Sequence, residues 1–256
     1  MKRLASVLAA TATLIAAAGE TTLALVCSSA CQGYGKSDPM LIHGWGEVLP
    51  EFLSGDVKVL NFAISGRSTK SFILMGDWDR VVAAKPDYVI LALGANDTPP
   101  SKKYATTIPE FKANLRKMAS EAQAVGSRPI FCTLNQAMRS AENGRSARFF
   151  KRGPLREDRV GHSQAIREVA AELKLPCLEL FDNQFRYMSQ MGEAKCAALY
   201  RRQDKDRNRI DPSHTNLAGA RFVAMIIAEE LAKSDTPLAR YVNRAKVEDV
   251  KKFYLP

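Results

Sequence analysis

At 256 residues the chain can build one substantial domain or two small ones. Its 46% hydrophobic and 25% charged content is that of a soluble globular protein, which excludes a fibrous or low-complexity chain. The formal net charge of +10 favours anionic partners, whether uronic-acid polymer, nucleic acid or acidic lipid. No zinc-finger spacing, aromatic RNA-binding motif or long basic helix supports nucleic acid among these.

The chain opens on Met1-Lys2-Arg3 and an apolar run over 4–18 that ends in Ala16-Ala17-Ala18-Gly19. A basic start, a short apolar stretch and small residues at its end describe a secretory signal peptide over 1–19. The run is too short for a comfortable membrane span, and no other segment approaches that length. The expectation is therefore a secreted or periplasmic protein, a single domain over 20–256 and no stable membrane insertion once the leader is cleaved. Val26 immediately before Cys27 argues against lipid attachment at that cysteine.

Apolar runs at 23–27, 57–62, 88–93, 129–134 and 177–180 show no polar alternation, as expected of strands buried on both faces. Segments 108–125, 161–173 and 217–231 carry the three-to-four-residue apolar spacing of helices. Strand and helix in alternation predict a doubly wound, mainly five-stranded parallel sheet in a three-layer α/β/α sandwich. Cysteines stand at 27, 31, 132, 177 and 196, without zinc spacing, so neither metal nor cofactor is expected. Cys27 and Cys31 bracket a turn and form a candidate disulfide, since export permits one. The basic cluster Arg201-Arg202, Lys205 and Arg207-Asn208-Arg209 is interleaved by Asp204 and Asp206 and reads as a solvated loop.

Ligands in such sheets bind beyond the carboxyl ends of the strands. Four polar loops lie there: Ser28-Ser29, Ser65-Gly66-Arg67-Ser68, Gly94-Ala95-Asn96-Asp97, and the turn Asp211-Pro212-Ser213-His214 before the last helix. In the last, a carboxylate three residues before an imidazole can bond one ring nitrogen and leave the other as a base. The same run could instead cap the following helix through Asp211 or Ser213. The other histidines lack such a partner: His43 reads as a loop residue near the cleft, His162 as a surface or helix-start residue.

The four loops in this order resemble the SGNH (GDSL-type) hydrolases, and within them the rhamnogalacturonan acetylesterase-like branch. Ser29, Gly66 in Asn61-Phe62-Ala63-Ile64-Ser65-Gly66-Arg67-Ser68-Thr69, Asn96 and the Asp211/His214 pair carry the resemblance, with Gly44-Trp45-Gly46 and Leu49-Pro50 beside them. It covers about residues 23–231. It implies a flavodoxin-like SGNH hydrolase fold and an exported esterase that removes acetyl groups from pectic rhamnogalacturonan-type polysaccharide. Ser29 is the implied nucleophile, His214 the base and Asp211 its orienter, while the Ser29 and Gly66 amides and the Asn96 side chain form the oxyanion hole. The partner is then an acetylated polysaccharide or oligosaccharide, met by a monomer. The family's Gly-Asp-Ser stands here as Cys27-Ser28-Ser29, so the acid before the nucleophile is absent and Ser28 is the alternative nucleophile. Two other readings stay open: a catalytically impaired carbohydrate-binding protein on this fold, and a lipase or thioesterase of the same superfamily.

Overall fold

The computed structural model describes residues 20–98, 103–136 and 157–255. The expected leader at 1–19 lies outside the described residues. In chain order come β1 (Thr21–Val26), α1 (Trp45–Val48), β2 (Val57–Asn61), α2 (Thr69–Leu74), α3 (Asp77–Ala84), β3 (Tyr88–Leu91), α4 (Ile108–Ala124) and β4 (Arg128–Cys132). They are followed by α5 (Glu157–Leu173), β5 (Cys177–Leu178), α6 (Leu180–Met191), α7 (Glu193–Ala198), β6 (Tyr200–Arg202), β7 (Ile210–Thr215), α8 (Leu217–Lys233) and α9 (Arg244–Tyr254).

The first five strands are all parallel, in the order β2-β1-β3-β4-β5. This is the doubly wound order expected from the sequence, with its reversal point between β1 and β3. Alternate residues of β1 feed two cores. Leu23 and Leu25 join Trp45, Phe222, Val223, Ile226 and Ile227 on one face of the sheet. Ala24 and Val26 join Phe72, Phe111, Leu115, Met118 and Ile166 on the other. Both faces are thus covered by helices, which is why the strands read as unbroken apolar runs.

The ladders stop one or two residues short of the apolar runs. Cys27, Ala92, Leu93 and Leu134 are buried although their strands have already ended. Hydrophobicity reports burial, and the core extends beyond the last ladder bond into the loops that carry the site. At β5 the last residue of the run, Leu180, already opens α6.

Three features depart from the expectation. Residues 210–215 form a strand paired antiparallel with β6, where a turn is expected. The Cys27–Cys31 disulfide is replaced by two buried free thiols with separate acceptors. Cys27 Sγ donates to Ala92 O at 3.3 Å, and Cys31 Sγ faces Asn61 Oδ1 at 3.8 Å. His162, expected at the surface, is buried in α5 against the Phe111 ring, with centroids 4.8 Å apart. Among the described residues no helix is long and apolar enough to cross a membrane.

Candidate active site

The loop after β1 is a tight turn. Ser28 O accepts from Cys31 N at 3.1 Å and from Gln32 N at 3.2 Å, so Ser29 sits in its first turn, where backbone amides lack an intraturn acceptor. Ser28 is buried, whereas Ser29 is half-buried. Ser29 Oγ lies 3.1 Å from His214 Nε2, and His214 Nδ1 lies 2.9 Å from Asp211 Oδ2. The hydroxyl at the imidazole is therefore that of Ser29; the alternative, Ser28, is buried.

With no acid at position 28, other bonds hold the turn. Cys27 O accepts from Ile64 N at 3.2 Å, Ala30 O from Trp45 N at 2.9 Å and Cys31 O from Asn61 Nδ2 at 2.9 Å. Tyr34 Oη donates to Ser29 O at 3.0 Å, and Gln32 Oε1 accepts from Ser65 N at 2.5 Å. Helix α1 packs directly on the turn, and a methyl group at Gly46 would overlap Cys31 Sγ and Cys31 O. That contact explains why Gly44-Trp45-Gly46 follows the nucleophile loop in this form.

The relay pair owes its meeting to an irregular hairpin. Tyr200 faces Thr215 and Arg202 faces Ile210, so two steps along β6 are matched by five along β7. The surplus residues bulge out of the ladder, and Pro212 in their middle has no N–H to give one. A regular strand would send residues three apart to opposite faces; the bulge brings Asp211 and His214 together. Helix capping falls to Asn216, whose side chain accepts from Gly219 N at 3.0 Å. Neither Asp211 nor Ser213 caps α8, and Ser213 N instead donates to Asp211 Oδ1 at 2.8 Å.

Arg201 Nε also donates to Asp211 Oδ2, at 2.7 Å. Burial alone would raise the Asp211 carboxyl. The His214 bond and charge, the Ser213 amide and Arg201 outweigh it and hold the group well below the ordinary carboxylate range. Asp211 therefore stays ionised at neutral pH and well into the acid range.

The remaining loops meet at the same sheet edge. Asn96 Nδ2 donates to Arg67 O at 3.0 Å, tying the third loop to the second. Gly66 has φ +81°, a left-handed conformation that favours glycine, and a Cβ there would meet nothing within 4 Å. Its role is a backbone conformation beside open space; close packing within the chain plays no part. Asp97 is fully buried and accepts from Thr69 N at 3.0 Å, Thr69 Oγ1 at 2.6 Å and Thr106 Oγ1 at 3.0 Å. Burial raises its pKa above the usual range despite those donors. His43 is committed elsewhere, with Nδ1 3.3 Å from Glu47 Oε1 and Nε2 3.1 Å from Asp38 O. Among the described residues no group of three or more His, Cys, Asp or Glu side chains could hold a metal ion.

Ser29, Gly66 and Asn96 thus lie on loops beyond the strand ends, Asp211 and His214 in the bulged strand β7, and Ser29, His214 and Asp211 are in direct contact. A model of the GDSL-like lipase/acylhydrolase family matches residues 28–222, most of the chain. The chain belongs to that family. It is a carboxylic ester hydrolase. Within this GDSL-like family it is 24% identical to the probable rhamnogalacturonan acetylesterase YesY of Bacillus subtilis, over 87% of this chain and 97% of the relative. It is 29% identical to rhamnogalacturonan acetylesterase RhgT of the same organism, over 81% of this chain and 88% of the relative. The fold matches that of a catalytic mutant of Axe2, an acetylxylan esterase from Geobacillus stearothermophilus. That match has a TM-score of 0.62 at 17% identity, covering 83% of this chain and 94% of that one.

Sequence reasoning missed three residues of the GDSL-like site. Arg201 is hidden in a charge run that reads as solvated, though Tyr200-Arg201-Arg202 and Ile210-Asp211 flanking a polar turn are a hairpin signal. Tyr34 carries no motif. Asp97 is quoted with Asn96 and passes for turn chemistry, yet it fastens the loop to the start of α2.

Proposed function

We propose that the chain is an exported serine acetylesterase acting on acetylated carbohydrate, with pectic rhamnogalacturonan-type polysaccharide as its substrate class. The observation that carries this reading is the unbroken contact from Ser29 Oγ through both nitrogens of His214 to Asp211. The names of the relatives support the acetyl group and the polymer. Export rests on the leader-like residues 1–19.

In the proposed mechanism, Ser29 Oγ attacks the acetyl carbonyl carbon while His214 Nε2 takes the hydroxyl proton. Asp211 holds the imidazole in the tautomer with Nδ1–H and stabilises the imidazolium that forms. The tetrahedral oxyanion is met by the Ser29 and Gly66 amides and the Asn96 side chain. Collapse breaks the ester C–O bond, and the sugar oxygen leaves with the proton from His214. Water, deprotonated by His214, then attacks the acetyl carbon; the C–Oγ bond breaks, Ser29 Oγ takes the proton back from His214, and acetate leaves.

Turnover of p-nitrophenyl acetate and acetate release from acetylated rhamnogalacturonan test the reading. Ser29→Ala and His214→Ala should each lose about four orders of magnitude in kcat or more. Ser28→Ala should stay within about threefold of the parent, because the hydroxyl that meets His214 is that of Ser29. Equal rates in parent, Ser29→Ala and His214→Ala would rule the mechanism out. Activity lost in Ser28→Ala and kept in Ser29→Ala would move the nucleophile by one residue.

A further inference from the structure

The relay carboxylate has a second owner. Arg201 Nε and His214 Nδ1 bond the same oxygen, Asp211 Oδ2, at 2.7 and 2.9 Å. The guanidinium nitrogen and the imidazole nitrogen are therefore no further apart than those two bonds laid end to end. Arg201 is 24% exposed and Asp211 14%, so solvent screens the pair only in part. Arg201 reaches this place because β6 runs antiparallel to β7, one residue along from the Tyr200–Thr215 pair.

We propose that Arg201 is a positioning residue of the relay, which fixes the Asp211 carboxylate against His214 and lowers the proton affinity of His214, keeping the base neutral to lower pH. Two effects act in one direction each. A carboxylate alone favours the imidazolium; a permanent cation on the same oxygen opposes it, since like charges within about 4–6 Å disfavour each other. The planar guanidinium also holds Oδ2 in one orientation, which a flexible point charge does less well.

The other charged and titratable groups around the pair do not take over this part. Tyr34, from the turn after β1, is held neutral because burial pushes its hydroxyl above the usual phenol range. Asp204, in the hairpin turn, lies 3.6 Å from Arg201 Nη1 but is 59% exposed and well screened. His43 and Glu47 bond each other and stand behind Thr215, whose Oγ1 donates to His43 O. Arg207 is paired with Asp38 at the far side of the hairpin.

The consequence for catalysis rests on the esterase reading, so the test reads His214 both with and without turnover. Titration of the His214 imidazole by NMR and the acid limb of kcat/KM on p-nitrophenyl acetate are compared for the full chain, Arg201→Met and Arg201→Lys. Arg201→Met should move both midpoints up by about one pH unit. Arg201→Lys should leave them within about 0.3 unit while lowering the plateau rate several-fold, because charge is kept and the fork is lost. Midpoints that stay put or fall in Arg201→Met would overturn the proposal. Should Arg201→Met fail to fold, Arg201→Gln supplies the same test with a neutral polar side chain: the His214 midpoint should again rise by about one pH unit, and a midpoint that stays put or falls would overturn the proposal. An upward NMR shift in Arg201→Met without any wild-type turnover would support the role of Arg201 and sink the esterase reading.

Discussion

Asn96 and Asp97 are neighbours with opposite assignments. The Asn96 amide donates to Arg67 O, joining its loop to the one that carries Gly66. Asp97 is wholly buried among three donors from Thr69 and Thr106. Removing an oxyanion donor typically costs about 10²–10³-fold in kcat, because the donor is aimed at charge that appears only in the transition state. Asn96→Ala should lose that much with KM nearly unchanged and its urea midpoint close to the parent's. Asp97→Ala should instead destabilise the fold by about 1–3 kcal/mol, since the Thr69 amide and both threonine hydroxyls lose a buried acceptor. Steady-state kinetics and urea denaturation on the two variants separate the roles. A stability loss in Asn96→Ala as large as that in Asp97→Ala would make both residues structural.

At the scale of elements, what the sequence disclosed follows from which signals are local. The strands of the parallel sheet are legible because both faces are buried, and α4 and α8 because their apolar spacing is regular. The β6–β7 hairpin is illegible for the opposite reason: its residues are polar, and its pairing depends on a bulge that no periodicity records. Hence Asp211 and His214 are recognisable by residue type and spacing, while Arg201, which meets them only through the hairpin, is not. The missing acid at position 28 is likewise compensated by long-range bonds, from Asn61, Ile64 and Trp45, that sequence spacing does not reveal. Asn216 ties this hairpin to α8. Its Oδ1 caps the helix, and its Nδ2 donates to Ala198 O at 2.7 Å and Tyr200 O at 3.3 Å. Asn216→Ala should therefore cost more than an isolated cap, about 2 kcal/mol, and reduce kcat through His214 two residues upstream. A loss near 0.5 kcal/mol with full activity would mean that the hairpin holds the relay without α8.

Across the whole molecule, acid should silence the enzyme well before it unfolds the fold. Asp211 is held low chiefly by His214 and Arg201, which overcome its burial, and Glu179 by the Arg167 pair despite burial of its own. Glu229 is depressed in the same way, with Lys251, Tyr187 and Lys233 outweighing desolvation. A carboxylate whose folded pKa is depressed adds stability above its unfolded value, near 3.9–4.3 on average, and that contribution drains away as pH falls towards the folded value. Asp97 runs the other way: its raised pKa favours the fold at low pH and costs stability as it ionises, so it offsets part of the acid loss. These depressed carboxylates outnumber the one raised group and leave a net loss of stability below about pH 4. His214, by contrast, must be neutral to act, so its protonation removes the base while the fold is intact. Thermal midpoints should accordingly stay nearly level from pH 7 to pH 5 and fall steeply below about pH 4, while kcat/KM already declines over the higher interval. Coincidence of the two curves would mean that loss of the fold, rather than protonation of the base, sets the acid limit of activity.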